Sequence, residues 1–218
     1  MAAISGGKSY HHGDLRNALV DAAVDLAADG GPERVVLREA ARRVGVSPTA
    51  AYRHFDGQGE LLGAVKRHAQ GALAEAMERA ASRAPGSDDP ALAAECRLAA
   101  LVRGYVAFAL AEPGLYRAAF CTPRPPCGMG WLAGAGAEPA AEPEVRAFAL
   151  LTEALAALAA AGPAPRPAAP DVQAAAWSAV HGLSLLLVDG PLRRLPAGRR
   201  DGVVERTLAM LVSGVRAD

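Results

Sequence analysis

The chain is poor in aromatic residues: Phe, Trp and Tyr make up 5% of its 218 residues. β-branched residues are few as well, whereas Ala occurs 52 times, about a quarter of the chain. Strands are built from the types it lacks, and Ala is the strongest helix former, so an all-α fold is expected. Cysteine is scarce too. Cys96, Cys121 and Cys127 in a chain this long make no disulfide framework. Net charge is missing, with 23 Lys and Arg against 23 Asp and Glu. That excludes a histone-like basic protein and an acidic solvating tail. No apolar run is long enough for a bilayer. The longest uncharged stretch, residues 172–188, is interrupted by Gln173, Ser178, His181 and Ser184 and falls short of the roughly 20 residues a span needs. The first ten residues carry Lys8 but no apolar segment of the secretory kind. The expected compartment is therefore cytoplasmic, with no membrane partner. What is present is globular: 51% hydrophobic and 21% charged residues, enough for one domain or two small ones.

Helical periodicity begins at once. Asp14 is placed to N-cap a helix whose apolar stripe is Leu15, Ala18, Leu19, Ala22, Ala23 and Leu26, stopped by Gly30-Gly31-Pro32. A second stripe, Leu37, Ala40, Ala41 and Val44, ends at Gly45. Ser47-Pro48 opens a short third helix, with Ser as cap and Pro in the first turn, which closes near Phe55-Asp56-Gly57. A long fourth helix is expected over 59–83, with Leu61, Leu62, Val65, Ala69, Ala72, Leu73 and Ala76 inward. Further helices follow over 90–111, 113–121, 145–161, 171–189 and about 200–215, about nine in all. Residues 122–143 are rich in Pro and Gly and read as a mobile loop or a locally packed lid. Pro163, Pro165, Pro167 and Pro170 make a stiff linker of 162–170. The expected organisation is a flexible arm over 1–12, a three-helix head over 13–58, and a helical body over 59–218 joined to it through the fourth helix.

Charge is unevenly spread. Residues 34–68 hold seven Lys and Arg against three Asp and Glu, an excess of +4, while the rest of the body is near neutral. A basic head points to an anionic partner, and a solvated helix face accounts for charge alone equally well. The segment Leu37-Arg38-Glu39-Ala40-Ala41-Arg42-Arg43-Val44-Gly45-Val46-Ser47-Pro48-Thr49-Ala50-Ala51-Tyr52-Arg53-His54-Phe55 has helix-turn-helix grammar. Ala41 is small enough for a close crossing, Gly45 suits the left-handed turn, and Val46 buries beneath it. At 100° per residue, Ala51 and Phe55 fall about 200° and 240° from Thr49 and face the core. Thr49, Ala50, Tyr52, Arg53 and His54 spread over the side a recognition helix shows to the major groove.

This arrangement resembles the TetR family of transcriptional regulators. The residues that carry the likeness are Tyr52-Arg53-His54-Phe55, then Glu60-Leu61-Leu62, the upstream Ala40-Ala41-Arg42-Arg43-Val44-Gly45-Val46-Ser47, and Gly13-Asp14-Leu15-Arg16 leading into the first helix. Farther along, Tyr105-x-x-Phe108-Ala109-Leu110-x-x-Pro113-Gly114-Leu115-Tyr116-Arg117 and Trp177-x-x-x-His181-Gly182-Leu183 resemble the subgroup named for its C-terminal Trp-His-Gly signature. Two positions depart from the family pattern. Val36 stands where a capping Ser or Thr is usual, and Gln58 where a Lys is usual. Both changes remove phosphate contacts, which leaves more of the binding to Arg34, Arg38 and the arm. The resemblance implies that Tyr52 and His54 donate to phosphate oxygens. By its chemistry Arg53 pairs with guanine O6 and N7 or with a phosphate, Thr49 meets a base edge, and Ala50 allows close approach. Arg38 and Ser47 complete the expected DNA-contacting set.

For the body, the resemblance implies a ligand-binding bundle that dimerises through its last two helices. The sequence supports this separately, because the helix from Asp171 is apolar all round and must be covered on more than one side. Val180, Leu183 and Leu187 on that helix, with Val204, Leu208, Leu211 and Val215 on the last one, are the expected self-association face. Tyr105, Phe108, Tyr116, Phe120, Trp131, Phe148, Trp177 and His181 are candidates to line a ligand pocket, with core packing the alternative for each. No catalytic signature is visible: HExxH, P-loop and GxSxG patterns are missing, and Cys121 and Cys127 have no second pair or nearby His to complete a zinc site. No cofactor or metal is expected, and the chain is expected not to be an enzyme. The expected function is a homodimeric repressor that binds a palindromic double-stranded DNA operator and is released by a small, largely hydrophobic effector. The alternative is a helical small-molecule-binding protein without DNA-binding activity.

Overall fold

Ala-rich stripes cut at Gly and Pro give nine α-helices and no strand among the described residues, which are 12–121, 143–162 and 170–217 of this computed structural model. In chain order they are α1 (His12–Gly30), α2 (Leu37–Val44), α3 (Pro48–Ala51), α4 (Gln58–Ala81), α5 (Pro90–Ala111), α6 (Pro113–Phe120), α7 (Pro143–Ala160), α8 (Pro170–Val188) and α9 (Ala197–Ala217). The all-α expectation holds. Expectations for residues 1–11, for 122–142 including Cys127 and Trp131, and for 163–169 lie outside the described residues.

Boundaries moved where Pro and short-range hydrogen bonding decided them. α1 starts at His12, so Asp14 sits inside its first turn instead of capping it. It still lies at the positive end of the helix dipole. α7 and α8 open on Pro143 and Pro170, before the expected starts at 145 and 171, because Pro costs nothing at the first helical position. α9 begins at Ala197, ahead of the expected 200. Two 3-10 turns, Pro32–Arg34 and Pro191–Arg194, stand where connecting loops were expected.

The core is assembled from the predicted stripes. Leu19, Ala23, Leu26 and Ala27 of α1 and Leu37, Ala40 and Ala41 of α2 are buried, with Ala51 and Phe55 from α3 and its following turn. α4 contributes Leu61, Val65, Ala69, Leu73 and Met77, while Leu62, Ala72 and Ala76 are partly buried against the same core. α4 packs on α1, α5, α6 and α7, so one continuous helix touches both head and body. The small residues set how close helices approach. A Cβ placed on Gly104 of α5 would fall 2.8 Å from the Ala80 Cβ of α4. One on Gly114 of α6 would fall 2.2 Å from the Ala27 carbonyl oxygen of α1 and 2.5 Å from that of Ala28. The start of α6 thus rests directly on the last turn of α1.

Charged pairs join helices across the surface: Arg146–Glu78 (α7 to α4), Arg103–Glu205 (α5 to α9), Arg216–Glu95 (α9 to α5) and Arg117–Asp189 (α6 to the end of α8). They are solvent-exposed in part, so each contributes at most about 1 kcal/mol, and they fix orientation more than stability. α8 has the length and composition of a bilayer span. Here it packs against α5, α7 and α9, with Ala176, Trp177, Val180, Ser184 and Leu187 buried.

Candidate nucleic-acid interface

The turn between α2 and α3 is built as the sequence requires. Gly45 takes φ 80° and ψ 29°, the left-handed region that closes α2. Its N–H reaches the Arg42 carbonyl at 3.2 Å, and the Val46 N–H reaches that of Ala41 at 3.0 Å. These two bonds satisfy carbonyls that the helix end would otherwise leave open. Val46 is half-buried under the turn. Ser47 caps α3, its Oγ accepting the Ala50 N–H at 3.2 Å, and Pro48 takes the first helical position. The α-helical part of α3 is only four residues. Tighter bonds continue it, from Arg53 N–H to the Ala50 carbonyl and from His54 N–H to that of Ala51.

Burial divides this segment cleanly. Ala51 and Phe55 are 0% and 1% exposed, while Tyr52 is 48% exposed. Thr49 and Arg53 are also exposed, and Ala50 and His54 are half-buried. Arg38, in the first turn of α2, and Ser47, the cap of α3, are exposed as well. Among the described residues Arg38 and Arg53 form no ion pair, whereas two of the other basic side chains of the head are engaged. Arg42 holds Glu39 through bonds of 2.9 and 2.7 Å, and Arg43 holds Asp29 at 2.9 Å. The Arg42 guanidinium holds the Glu39 carboxyl below its ordinary range. Val36 opens α2 without a side-chain cap and is 38% exposed, and Gln58 is exposed at the first position of α4.

One feature of the head left no trace in sequence spacing. Arg16 of α1 donates to the His54 carbonyl, donates at 2.8 Å to Glu60 of α4, and lies over the Phe55 ring at 4.2 Å. Glu60 in turn accepts the Asp56 N–H at 2.8 Å, and this bond and Arg16 hold its carboxyl below the usual range. The two residues are 44 positions apart, and only the tertiary fold brings them together.

In the body, most of the candidate pocket residues converge where α5, α6, α7 and α8 meet. Tyr105 packs edge-on to Tyr116 and Trp177 with centroids 6.0 and 5.6 Å apart. Phe120 lies 4.5 Å from the His181 ring, and Phe148 lies 5.6 Å from Trp177. The polar atoms satisfy one another. The Tyr105 and Tyr116 hydroxyls lie 2.8 and 3.1 Å from His181 Nδ1, and Tyr116 also approaches the His181 carbonyl at 3.4 Å. Burial keeps the His181 ring neutral by lowering its pKa, pushes Tyr116 up to about 12, and pushes Tyr105 well above its ordinary value. The phenols therefore stay protonated; Nδ1 has one lone pair and accepts from at most one of them, and the Tyr116 hydroxyl is also placed to donate to the His181 carbonyl. Phe108 is buried on α5 but shares no ring contact with this group among the described residues. On α4, buried Gln70 donates to the Ala119 carbonyl at 2.9 Å, and among the described residues its Oε1 has no partner.

Of the expected self-association residues, Val180, Leu183, Leu187, Val204, Leu208 and Val215 are buried within the single chain and hold α8 and α9 to each other and to the bundle. Leu183, Leu211 and Val215 also line an apolar groove of about 650 Å³ between α8 and α9. Its other walls include Ala179, Leu186, Val203 and Met210. Leu186 and Met210 are 43% and 68% exposed, residues the periodicity had not singled out.

Comparison with known proteins gives the same picture at both ends of the chain. Residues 19–65 match the sequence model described as bacterial regulatory proteins, tetR family, and residues 98–211, just over half of the chain, match the one described as tetracyclin repressor-like, C-terminal domain. A 59-residue stretch is 41% identical to an uncharacterized HTH-type transcriptional regulator of Haemophilus influenzae, covering 27% of this chain and 29% of that relative. Among solved structures, a protein of unknown function from Rhodococcus sp. RHA1 is 28% identical, with TM-score 0.68 over 96% of this chain and 99% of its own. A tetR-family transcriptional regulator from Streptomyces coelicolor shares the fold at 21% identity, with TM-score 0.56 over 96% of this chain and 91% of its own.

Proposed function

The chain belongs to the tetR family of bacterial transcriptional regulators, and from that premise we propose that it is a homodimeric repressor which binds a palindromic operator and is released by a small, largely hydrophobic effector. The observation that carries this is the division of the α3 segment. Ala51 and Phe55 are locked into the core, and Thr49, Tyr52 and Arg53 are left exposed, with no ion pair to Arg53 among the described residues. Arg53 pairs with a guanine edge and Thr49 with a neighbouring base. Ala50 allows the close approach, and Tyr52, His54, Ser47 and Arg38 position the head on phosphates. Two such heads bind half-sites about 34–36 Å apart or a multiple of that. The pairing surface is the α8–α9 groove with Leu186 and Met210. The effector enters the aromatic cluster, where Tyr105, Tyr116 and His181 offer the polar contacts and the rings the apolar surface. The Trp177, His181 and Gly182 signature sits at this cluster and supports assignment to the Trp-His-Gly subgroup. A coupling of about 1–3 kcal/mol, transmitted along α4, reduces operator affinity several-fold or more.

The test is fluorescence anisotropy on the duplex upstream of the chain's own gene. Tight binding that weakens with salt and is markedly weaker in Arg53→Ala is expected. Equal binding by wild type and Arg53→Ala overturns the groove assignment. The second reading, a ligand-binding bundle without DNA activity, draws on uncapped Val36 and on Gln58, both of which forgo phosphate contacts. It predicts ligand binding with no preference for any duplex.

A further inference from the structure

A four-residue α-helix cannot hold its own shape, because helix nucleation alone is unfavourable at that length. Its first turn is fixed by the Ser47 cap and its inner face by Ala51 and Phe55. Its last turn, where Tyr52 and Arg53 point outward, ends at His54 and Phe55, and there a single guanidinium from another helix makes three contacts. Arg16 donates to the His54 carbonyl, stacks its cation over the Phe55 ring at 4.2 Å, and pairs with Glu60 at 2.8 Å. Glu60 closes the ring by accepting the Asp56 N–H at 2.8 Å, one residue past Phe55. The backbone of 54–56 is thus clamped between the first turns of α1 and the first turn of α4. Arg16 is spent on these three contacts, and its side chain is 40% exposed.

Resting on the operator-binding reading above, we propose that Arg16 and Glu60 are positioning residues for DNA recognition: the pair fixes the angle at which Tyr52 and Arg53 leave the protein surface, and it ties that angle to the start of α4. Arg16 contributes to base discrimination without touching DNA itself. Lys is the informative replacement, since it keeps the charge but has no planar fork to serve a carbonyl, a carboxylate and a ring face together. Gln at position 60 still accepts the Asp56 N–H but no longer pairs with a cation.

The experiment uses the full-length chain with Arg16→Lys, Glu60→Gln and the double variant. Hydrogen exchange on the free protein comes first. Faster exchange is expected over 52–60 in all three, with the body unchanged. Affinities for operator and for random duplex are then measured across a salt series. The ratio of the two should fall roughly tenfold in Arg16→Lys, the worth of one well-formed bidentate base contact, and less in Glu60→Gln. Random-duplex affinity and the salt slope should stay at wild-type values. The double variant should lose little beyond Arg16→Lys, because both changes break one unit. If Arg16→Ala, which unlike Lys removes the charge, lowers operator and random binding together and reduces the salt slope by about 0.9, Arg16 is a phosphate contact and the positioning role is wrong. If exchange and binding match wild type in both single variants, the clamp is idle. Should Arg16→Lys fail to fold, Glu60→Gln decides by the same criteria. A wild type without preference for any duplex, with exchange still faster in the variants, refutes the repressor reading and not the clamp's geometry.

Discussion

Replacing Gly114 by Ala tests how tightly head and body are seated. By helix propensity alone the change should stabilise, since Gly in a helix costs about 1 kcal/mol relative to Ala. The structure predicts the opposite sign. The new methyl would lie 2.2 Å from the Ala27 carbonyl oxygen and 2.5 Å from that of Ala28. These are backbone atoms in the last turn of α1, and no rotamer change moves them aside. α6 must lift by about an ångström, at an overpacking cost in the upper part of the usual range, about 2–3 kcal/mol. It takes Tyr116 and Phe120 with it and strains the Arg117–Asp189 pair. Net of the propensity gain, a loss of about 1–2 kcal/mol is expected. For a chain of this size that lowers the melting temperature by roughly 2–8 °C. Gly71→Ala is the matched control, because nothing lies within 4 Å of its added methyl. It should stabilise by about 0.5–1 kcal/mol. Thermal and urea melts followed by circular dichroism read both. A Gly114→Ala melt at or above wild type would show that α6 does not rest on α1 as described.

Tyr52→Ala should weaken binding evenly across DNA sequences, whereas Arg53→Ala should also relax preference at one base position, as read in competition shifts with single-base operator variants. Met210→Glu should convert the proposed dimer to a monomer in sedimentation while leaving the melt of the isolated chain unchanged, because Met210 is 68% exposed. Leu208→Glu should instead lower stability, since that side chain is 4% exposed within one chain. Burial lowers the His181 pKa below its ordinary 6.5. Beneath that value the unfolded chain binds more protons than the folded one, so stability present above pH 6.5 falls as pH drops through the window down to the lowered value. Urea melts from pH 7.5 to 5.5 should show wild type losing ground to His181→Gln, and parallel curves would refute the assignment. The Arg-paired carboxylates of Glu39, Asp189 and Glu205 act only below about pH 4.5, outside that range.

Local chemistry made much of this legible in the sequence. Gly45, Ser47 and Pro48 each have one conformational use, and the structure puts each to that use. The outward and inward sets of α3 follow from 100° steps alone. Periodicity says which side chains are buried but not against what. Val180 and Leu208, expected on a partner-facing stripe, are covered by the chain's own bundle, while Met210 is 68% exposed on α9. Arg16 and Glu60 meet only through tertiary structure, so no spacing rule pairs them. The aromatic residues were gathered as candidates from their scarcity, yet the shared Nδ1 of His181 depends on the crossing of α5, α6 and α8.

The split within the α3 segment has a consequence for how such a protein changes over generations. What keeps its backbone in place faces inward or belongs to other helices, while Thr49 and Arg53, which would read bases, are exposed. Swapping these two therefore leaves the foundations untouched. New target preferences can be explored by substitution at Thr49 and Arg53 with little penalty in foldedness, whereas a change at Phe55 costs about 3–5 kcal/mol whatever the target.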